Sequence, residues 1–307
     1  MRCDTGQANR LGNRSSNQDR SAIVEHKDSL LLMVADGMGG HEGGELAAQE
    51  MINKMTLVFQ NEPMPISNPR VFLEQLVLES HDVISRIGIK RRPPIYPRTT
   101  GVVCLIQNGM ACWAHVGDSR LYLIRNNEIL IRTKDHTYIE ELHQNNVISE
   151  SEMLSHPMRN YVTQCLGGPN EIPKIAVSEE TPIKFDDILL LCSDGLWNAT
   201  DMNELIKLLD GDTLEKAVHL MAETAEKESY PKSDNISVLA LRLLPDAEID
   251  AFGPDSVFHA LAEDAPEKSK KPKKFKDKLN NAIDDIEQAM KEYASEIREE
   301  KDKKNKP

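Results

Sequence analysis

Short apolar runs alternate with polar turn residues along most of the chain, and the period of each run predicts its element. Runs at 22–25, 30–35, 101–106, 110–116, 121–125, 129–132, 188–192 and 236–241 are rich in Val, Ile, Leu and small residues. They are too short for helices and read as β-strands. Asn108-Gly109 falls between two of them and predicts a two-residue hairpin, because both residues tolerate positive φ; Asn126-Asn127 predicts a second. Segments 44–60, 70–88, 138–145, 202–209 and 213–227 instead space apolar residues three and four apart, the helical period. In the last of these Leu214, Ala217, Val218, Met221 and Ala222 share one face. Thr137 and Glu140 form a Thr-x-x-Glu capping box ahead of the third. Strands and helices come in blocks rather than in strict alternation. That predicts an α+β protein built of layers around antiparallel strands, not a doubly wound parallel sheet.

The pattern changes near residue 246. The body is expected at 5–245, followed by a linker at 246–274 that is Lys- and Pro-rich at its end, and then by an amphipathic, charged helix at 275–304. In that helix Phe275, Leu279, Ile283, Ile286, Met290, Tyr293 and Ile297 form a narrow seam close to a heptad stripe. Such a seam folds back on its own body, stays solvated, binds a partner or self-associates; the pattern leaves these open.

Composition narrows the function classes. The 307 residues carry a formal charge of −13, which argues against a nucleic-acid binder, since such proteins cluster cations on phosphates. Cys3, Cys104, Cys112, Cys165 and Cys192 show no CxxC pair and fall mostly in apolar runs, so they read as reduced core thiols. No run approaches the roughly 20 apolar residues of a membrane span, and the polar start lacks the apolar segment of a signal peptide. A cytoplasmic location is expected.

The chemistry lies in acidic residues at strand ends and turns. Asp19 precedes the first strand, Asp36-Gly37 follows 30–35, Asp118 breaks two strands, Asp194-Gly195 follows 188–192, and Asp234-Asn235 precedes the last strand. A lone Asp-Gly is first of all a turn dipeptide. Two of them after apolar strands would bring Asp36 and Asp194 to one cleft, where unpaired carboxylates raise one another's pKa unless a cation neutralises them. With oxygen donors and no His or Cys cluster, hard ions such as Mn²⁺ or Mg²⁺ fit better than Zn²⁺. Two such ions about 3.5–4 Å apart can share a water, lower its pKa and offer it in line to phosphorus.

In order, the chain contains RSSNQD from Arg14 to Asp19, DGMGG from Asp36 to Gly40, TTG from Thr99 to Gly101, GDSR from Gly117 to Arg120, DHT from Asp135 to Thr137, SDGL from Ser193 to Leu196, and Asp234-Asn235. This ordered set resembles the PP2C (PPM) family of metal-dependent serine/threonine protein phosphatases in its bacterial form, over about residues 12–241. The resemblance implies a four-layer α/β/β/α sandwich with central antiparallel sheets and the metals in a cleft at one end. It implies that Asp36 bridges two Mn²⁺ or Mg²⁺ ions with the Gly37 carbonyl as a further ligand, that Asp194 and Asp234 hold the first ion, and that Asp118 with Asp194 forms a third, weaker site. Asp19 would support metal-bound water and Arg14 would grip the substrate phosphate. Asn235 would orient rather than ligate, and Asp135 by itself reads as a helix cap. The implied substrate is a phosphoprotein, and the implied counterpart is a Ser/Thr kinase.

Two positions depart from the family pattern. Gln18 stands where Glu is common, and Met38 stands where eukaryotic members carry a His that is a candidate acid for the leaving alkoxide. Segment 138–183 matches the family's variable flap. Competing functions are a catalytically weak phosphoprotein-binding module, suggested by Gln18 and Met38, and a phosphatase of small metabolites using the same metal chemistry.

Overall fold

The computed structural model describes residues 2–38, 42–168, 172–211 and 213–245. Its strands are β1 (Cys3–Arg10), β2 (Asp19–His26), β3 (Ser29–Met38), β4 (Arg98–Gln107), β5 (Met110–Val116), β6 (Arg120–Arg125), β7 (Glu128–Arg132), β8 (Leu166–Gly167), β9 (Ala176–Val177), β10 (Thr181–Pro182), β11 (Ile188–Cys192) and β12 (Ile236–Leu243). The helices are α1 (Glu42–Asn61), α2 (Pro69–Lys90), α3 (Tyr138–Gln144), α4 (Glu150–Ser155), α5 (Asp194–Trp197), α6 (Met202–Leu205) and α7 (Leu214–Ser229), with a 3-10 turn at Ile206–Asp210. One antiparallel sheet runs β1-β12-β11-β6-β7. The other runs β10-β5-β4-β3-β2, with β8 added to β4 and β9 to β5.

The period-2 geometry of a strand sends alternate side chains to opposite faces, and here both faces are covered. From β3, Leu30, Leu32 and Val34 enter the core between the sheets, while Leu31, Met33 and Ala35 enter a second core beneath α1 and α2. From β12, Leu239, Leu241 and Leu243 point between the sheets, and Ile236, Val238 and Ala240 point to α7. This four-layer α/β/β/α arrangement explains the near-continuous apolar runs, which in a sheet with one wet face would alternate. Each fully buried Leu, Ile or Met contributes about 1.5–3 kcal/mol relative to exposure.

The hairpins form at the expected residues. Asn108 and Gly109 have φ of 51° and 71°, and Gln107 pairs with Met110 across them. Asn126 and Asn127 have φ of 51° and 59°, with Arg125 opposite Glu128. The predicted face of α7 is buried, extended by Ala225, and Thr213 caps the helix.

Other elements differ from the sequence expectation. The polar segment of β1 gave no strand signal, yet it pairs along its whole length with β12, where the partner supplies the ladder and packing. Asp36-Gly37 is not a turn: β3 runs on to Met38, with Asp36 opposite Thr100 and Gly37 opposite Thr99. Gly37 is required for a different reason, since a Cβ there would lie 2.3 Å from the Gly44 carbonyl oxygen of α1. Asp194 opens α5 rather than ending in a turn. The 202–209 helix divides into α6 and the 3-10 turn. Thr137 does cap α3, but the Glu140 carboxylate faces Arg132 and Gln144. Among the described residues no helix is long and apolar enough to cross a membrane. The linker and seam expected at 246–304 lie outside the described residues.

Candidate active site

At one end of the sandwich β2 begins, β3 and β11 end, and β12 begins, so the acidic residues flanking four strands of two sheets meet there. Asp19 and Asp36 are directly opposed across β2 and β3. Asp194 follows β11 and Asp234 precedes β12. Asp118 lies in the crossing from β5 in one sheet to β6 in the other. Asp36, Asp118, Asp194 and Asp234 line a cleft of about 260 Å³ together with Arg14, Ser16, Gln18, Thr100, Asn160 and Asn235, and Asp19 lies buried behind Asp36.

Asp19 and Asp118 are buried, whereas Asp36 and Asp194 keep part of their surface open to the cleft. Both of the latter are nonetheless set deep among protein atoms, and loss of hydration is the first cause of every shift at this site. Asp36 is pushed well above the ordinary carboxylate range by desolvation and then by Asp19, Asp194, Asp118 and Asp234. Asp118 is likewise raised by burial and by Asp194 and Asp135, against an opposing pull from Arg120. Asp19 is raised to about 7 by burial, with Asp194 and Asp234 adding to it, although the Ser193 hydroxyl donates to its Oδ2 at 2.6 Å. Asp194 rises to about 6 through desolvation and Asp234, partly offset by a hydrogen bond with Asp36. Such mutual repulsion is the signature of acids that lack an internal counter-charge.

Among the described residues one cation enters this cleft. Arg14 places Nη2 2.6 Å from Asp234 Oδ2, with its side chain 54% exposed. The loop that carries it is fixed by Asn235, whose Nδ2 donates to the Leu11 and Ser16 carbonyls at 2.8 and 3.0 Å and whose Oδ1 accepts from the Gln18 N–H at 2.8 Å. Both N–H donors of that amide and one lone pair of its oxygen therefore go into the loop. The Thr99 hydroxyl donates to the Asp36 carbonyl at 2.8 Å, and Thr100 bonds Ser119 at 2.7 Å, so the TTG motif supports the neighbouring acids.

Asp135 is not a helix cap. It is the buried partner of Arg120, which donates Nε to Oδ1 at 2.9 Å and Nη2 to Oδ2 at 2.7 Å. Next to it, the Gly117 N–H donates to His136 Nδ1 at 3.3 Å, and the His136 N–H donates to the Gly117 carbonyl at 2.8 Å. His136 is lowered to about 4 by burial and by His115, which keeps Nδ1 free to accept. The sequence did not single out Asn160 or Val162 of the flap, which line the cleft; nothing in their local pattern distinguishes them from surface loop residues.

The donor set fits a hard cation. Asp19 Oδ1 is buried without a hydrogen-bond partner, and the acids around it disfavour one another's charge. Among the described residues no three acidic, His or Cys side chains close into a ready-made ligand cage; the acids ring the cleft instead, with Asp234 turned to Arg14.

The protein phosphatase 2C family pattern matches residues 6–236. The serine/threonine phosphatase stp of Listeria monocytogenes is 30% identical over 234 residues, 74% of this chain and 90% of that protein. The Streptococcus agalactiae serine/threonine phosphatase superposes with a TM-score of 0.71 at 27% identity, over 79% of this chain and 100% of that one. The catalytic domain of the serine/threonine protein phosphatase PstP, solved with two manganese ions, gives 0.68 at 25% identity over 79% and 99%; a PstP among the sequence relatives comes from Mycobacterium tuberculosis. With the same fold and a match that spans every acidic residue of the cleft, this chain belongs to the protein phosphatase 2C family.

Proposed function

We propose that this chain is a protein-serine/threonine phosphatase that hydrolyses phosphoserine and phosphothreonine with the help of two divalent cations, Mn²⁺ or Mg²⁺. The observation that carries the reading is the set of Asp36, Asp118, Asp194 and Asp234, brought from two sheets to one cleft beside Arg14, with Asp19 buried against Asp36. Asp36 would serve both ions, with the Gly37 carbonyl also a ligand, Asp194 and Asp234 would hold the first ion, and Asp118 with Asp194 would form a third site. When bound, such ions supply an acidified water as nucleophile and positive charge for the phosphoryl oxygens.

The chain's own residues do the rest. Arg14 exchanges Asp234 for the phosphate, to which its planar fork is matched. Its half-exposed position at the mouth of the cleft allows that exchange. Asp19, held by Ser193 and unpaired at Oδ1, would support metal-bound water from behind Asp36. Asn235 keeps the Arg14 loop at a fixed distance from β12.

The same reading places a Ser/Thr kinase opposite this enzyme and the protein in the cytoplasm, where five free cysteines are at home. It takes 5–245 as the catalytic body and 246–304 as an appended linker and helix. The test is hydrolysis of p-nitrophenyl phosphate and of a phosphoserine and phosphothreonine peptide panel, in EDTA and with Mn²⁺ restored. Activity that vanishes in chelator and returns with Mn²⁺ on both substrate types is expected. Full activity in EDTA, or a covalent phosphoenzyme, would sink the mechanism, and turnover of the aryl ester but of no peptide would sink the substrate class.

A further inference from the structure

The Trp197 side chain joins two segments that each carry a carboxylate of the cleft. Its Nε1–H donates to the Asp118 carbonyl at 3.0 Å. Trp197 itself is the last residue of α5, the single turn that begins at Asp194. The indole therefore ties the peptide of Asp118 to the short helix whose first residue is Asp194. The ring is held in turn: the Arg120 guanidinium lies 3.5 Å over its centre, and Arg120 is fixed by the two-pronged pair with Asp135 and by Nη1 donating to Tyr122 Oη at 3.1 Å. An arginine fully engaged on its edge and stacked on its face has little rotational freedom, so the ring below it is fixed as well.

We propose that Trp197 is a positioning residue that sets the separation between Asp118 and Asp194, and so the affinity of the divalent cation these two carboxylates would share. This rests on the assignment of both as ligands made above. The physical reason is that α5 is only four residues long and Asp118 lies in a strand-to-strand crossing; neither element is rigid enough alone to hold a carboxylate to the few tenths of an ångström that cation coordination requires. The Asp36 ladder does not depend on the brace, because Asp36 is held in β3 between Asp19 and Thr100. Asp194 also belongs to the first site, but Asp36 and Asp234 share that ion, so loss of the brace falls hardest on the ion that depends on Asp118.

Trp197→Phe keeps an aromatic face beneath Arg120 and removes only the N–H. Titration of the full chain with Mn²⁺, followed by calorimetry and by the electron paramagnetic resonance of free ion, should show the tight binding steps shifted by less than about threefold. The weakest step, the one that Asp118→Asn abolishes, should weaken by about ten- to a hundredfold, with a melting temperature close to that of the parent. A folded Trp197→Phe protein whose weakest step matches the parent would overturn the proposal. If the parent shows no step that Asp118→Asn removes, the ligand assignment itself fails, a result distinguishable from failure of the brace. Should Trp197→Phe not fold, the Trp113→Phe protein retains one indole. Its emission should change over the Mg²⁺ range of the weakest step, and emission that stays constant through that range would equally overturn the proposal.

Discussion

Strand β11 is flanked by a carboxylate at each end, and the two have opposite surroundings. Before it, Asp187 is buried and fully engaged: Arg125 donates Nε and Nη2 to its two oxygens at 2.6 and 2.7 Å, and the Lys184 N–H donates at 2.7 Å. Beyond the other end, Asp194 meets Asp36, Asp118 and Asp234, and is raised to about 6. The chain thus supplies the counter-charge at one end and withholds it at the other. Burial of acids is not what marks the active end, since Asp187 and Asp135 are as buried as Asp19. The mark is burial of several acids together with one half-exposed arginine among them. An end that is complete within the chain contributes to folding, and an end that is incomplete needs a cation from outside.

The sharpest way to break this comparison is to neutralise the centre of the incomplete end. Asp36→Asn should lower kcat with Mn²⁺ by about a thousandfold or more, several kcal/mol of transition-state stabilisation, while the protein stays folded. Near-normal steady-state turnover would show that the cleft has been misassigned.

At the complete end the effect should fall on stability. Arg125→Met leaves Asp187 buried with its fork unfilled, which costs about 2 kcal/mol once the partial exposure of Arg125 is allowed for, or a fall of about 4–8 °C in melting temperature. Turnover per folded molecule should not change. A loss of kcat at unchanged melting temperature would mean that the two ends are not separable.

The pH dependence distinguishes the ends again. Asp19 and Asp194 have folded pKa values of about 7 and about 6, above the ordinary 3.8. Their contribution to folding is therefore fully present below the ordinary value and is lost as pH rises through 6 to 7. In chelator, the protein should lose stability relative to Asp19→Asn between pH 4 and pH 7, as followed by thermal melts, and Mn²⁺ should reverse the loss. Parallel melting curves for the two proteins across that range would contradict the raised pKa of Asp19.

The smallest effect is expected outside both ends. A chain ending at Pro245 retains all twelve strands and every acid of the cleft, so it should hydrolyse p-nitrophenyl phosphate with Mn²⁺ at close to the full-length rate. A large fall in that rate would make residues 246–307 part of the catalytic body.

Much of this was legible in the chain. Eight apolar runs became strands; six of them, in β3, β4, β5, β6, β11 and β12, are apolar along their length because both faces are buried, and Asn108-Gly109 became a hairpin because few other residues accept two successive positive φ values. The ordered motifs named the acids of the cleft, since their chemistry survives in residue type and order. What the sequence could not contain is pairing across distance. The polar β1 became a strand only because β12, more than two hundred positions away, offers it a full ladder. Asp36-Gly37 has the local preference of a turn, yet the β4 ladder and the close approach of α1 hold it extended. Asp135 has the local form of a cap, and only the arrival of Arg120 from β6 makes it half of an ion pair. Local preferences at such positions amount to about 1 kcal/mol, less than a buried pair or a continuous ladder. The sequence by itself therefore determined which residues bear the chemistry, and the tertiary structure decided which of them are satisfied within the chain and which are left facing one another.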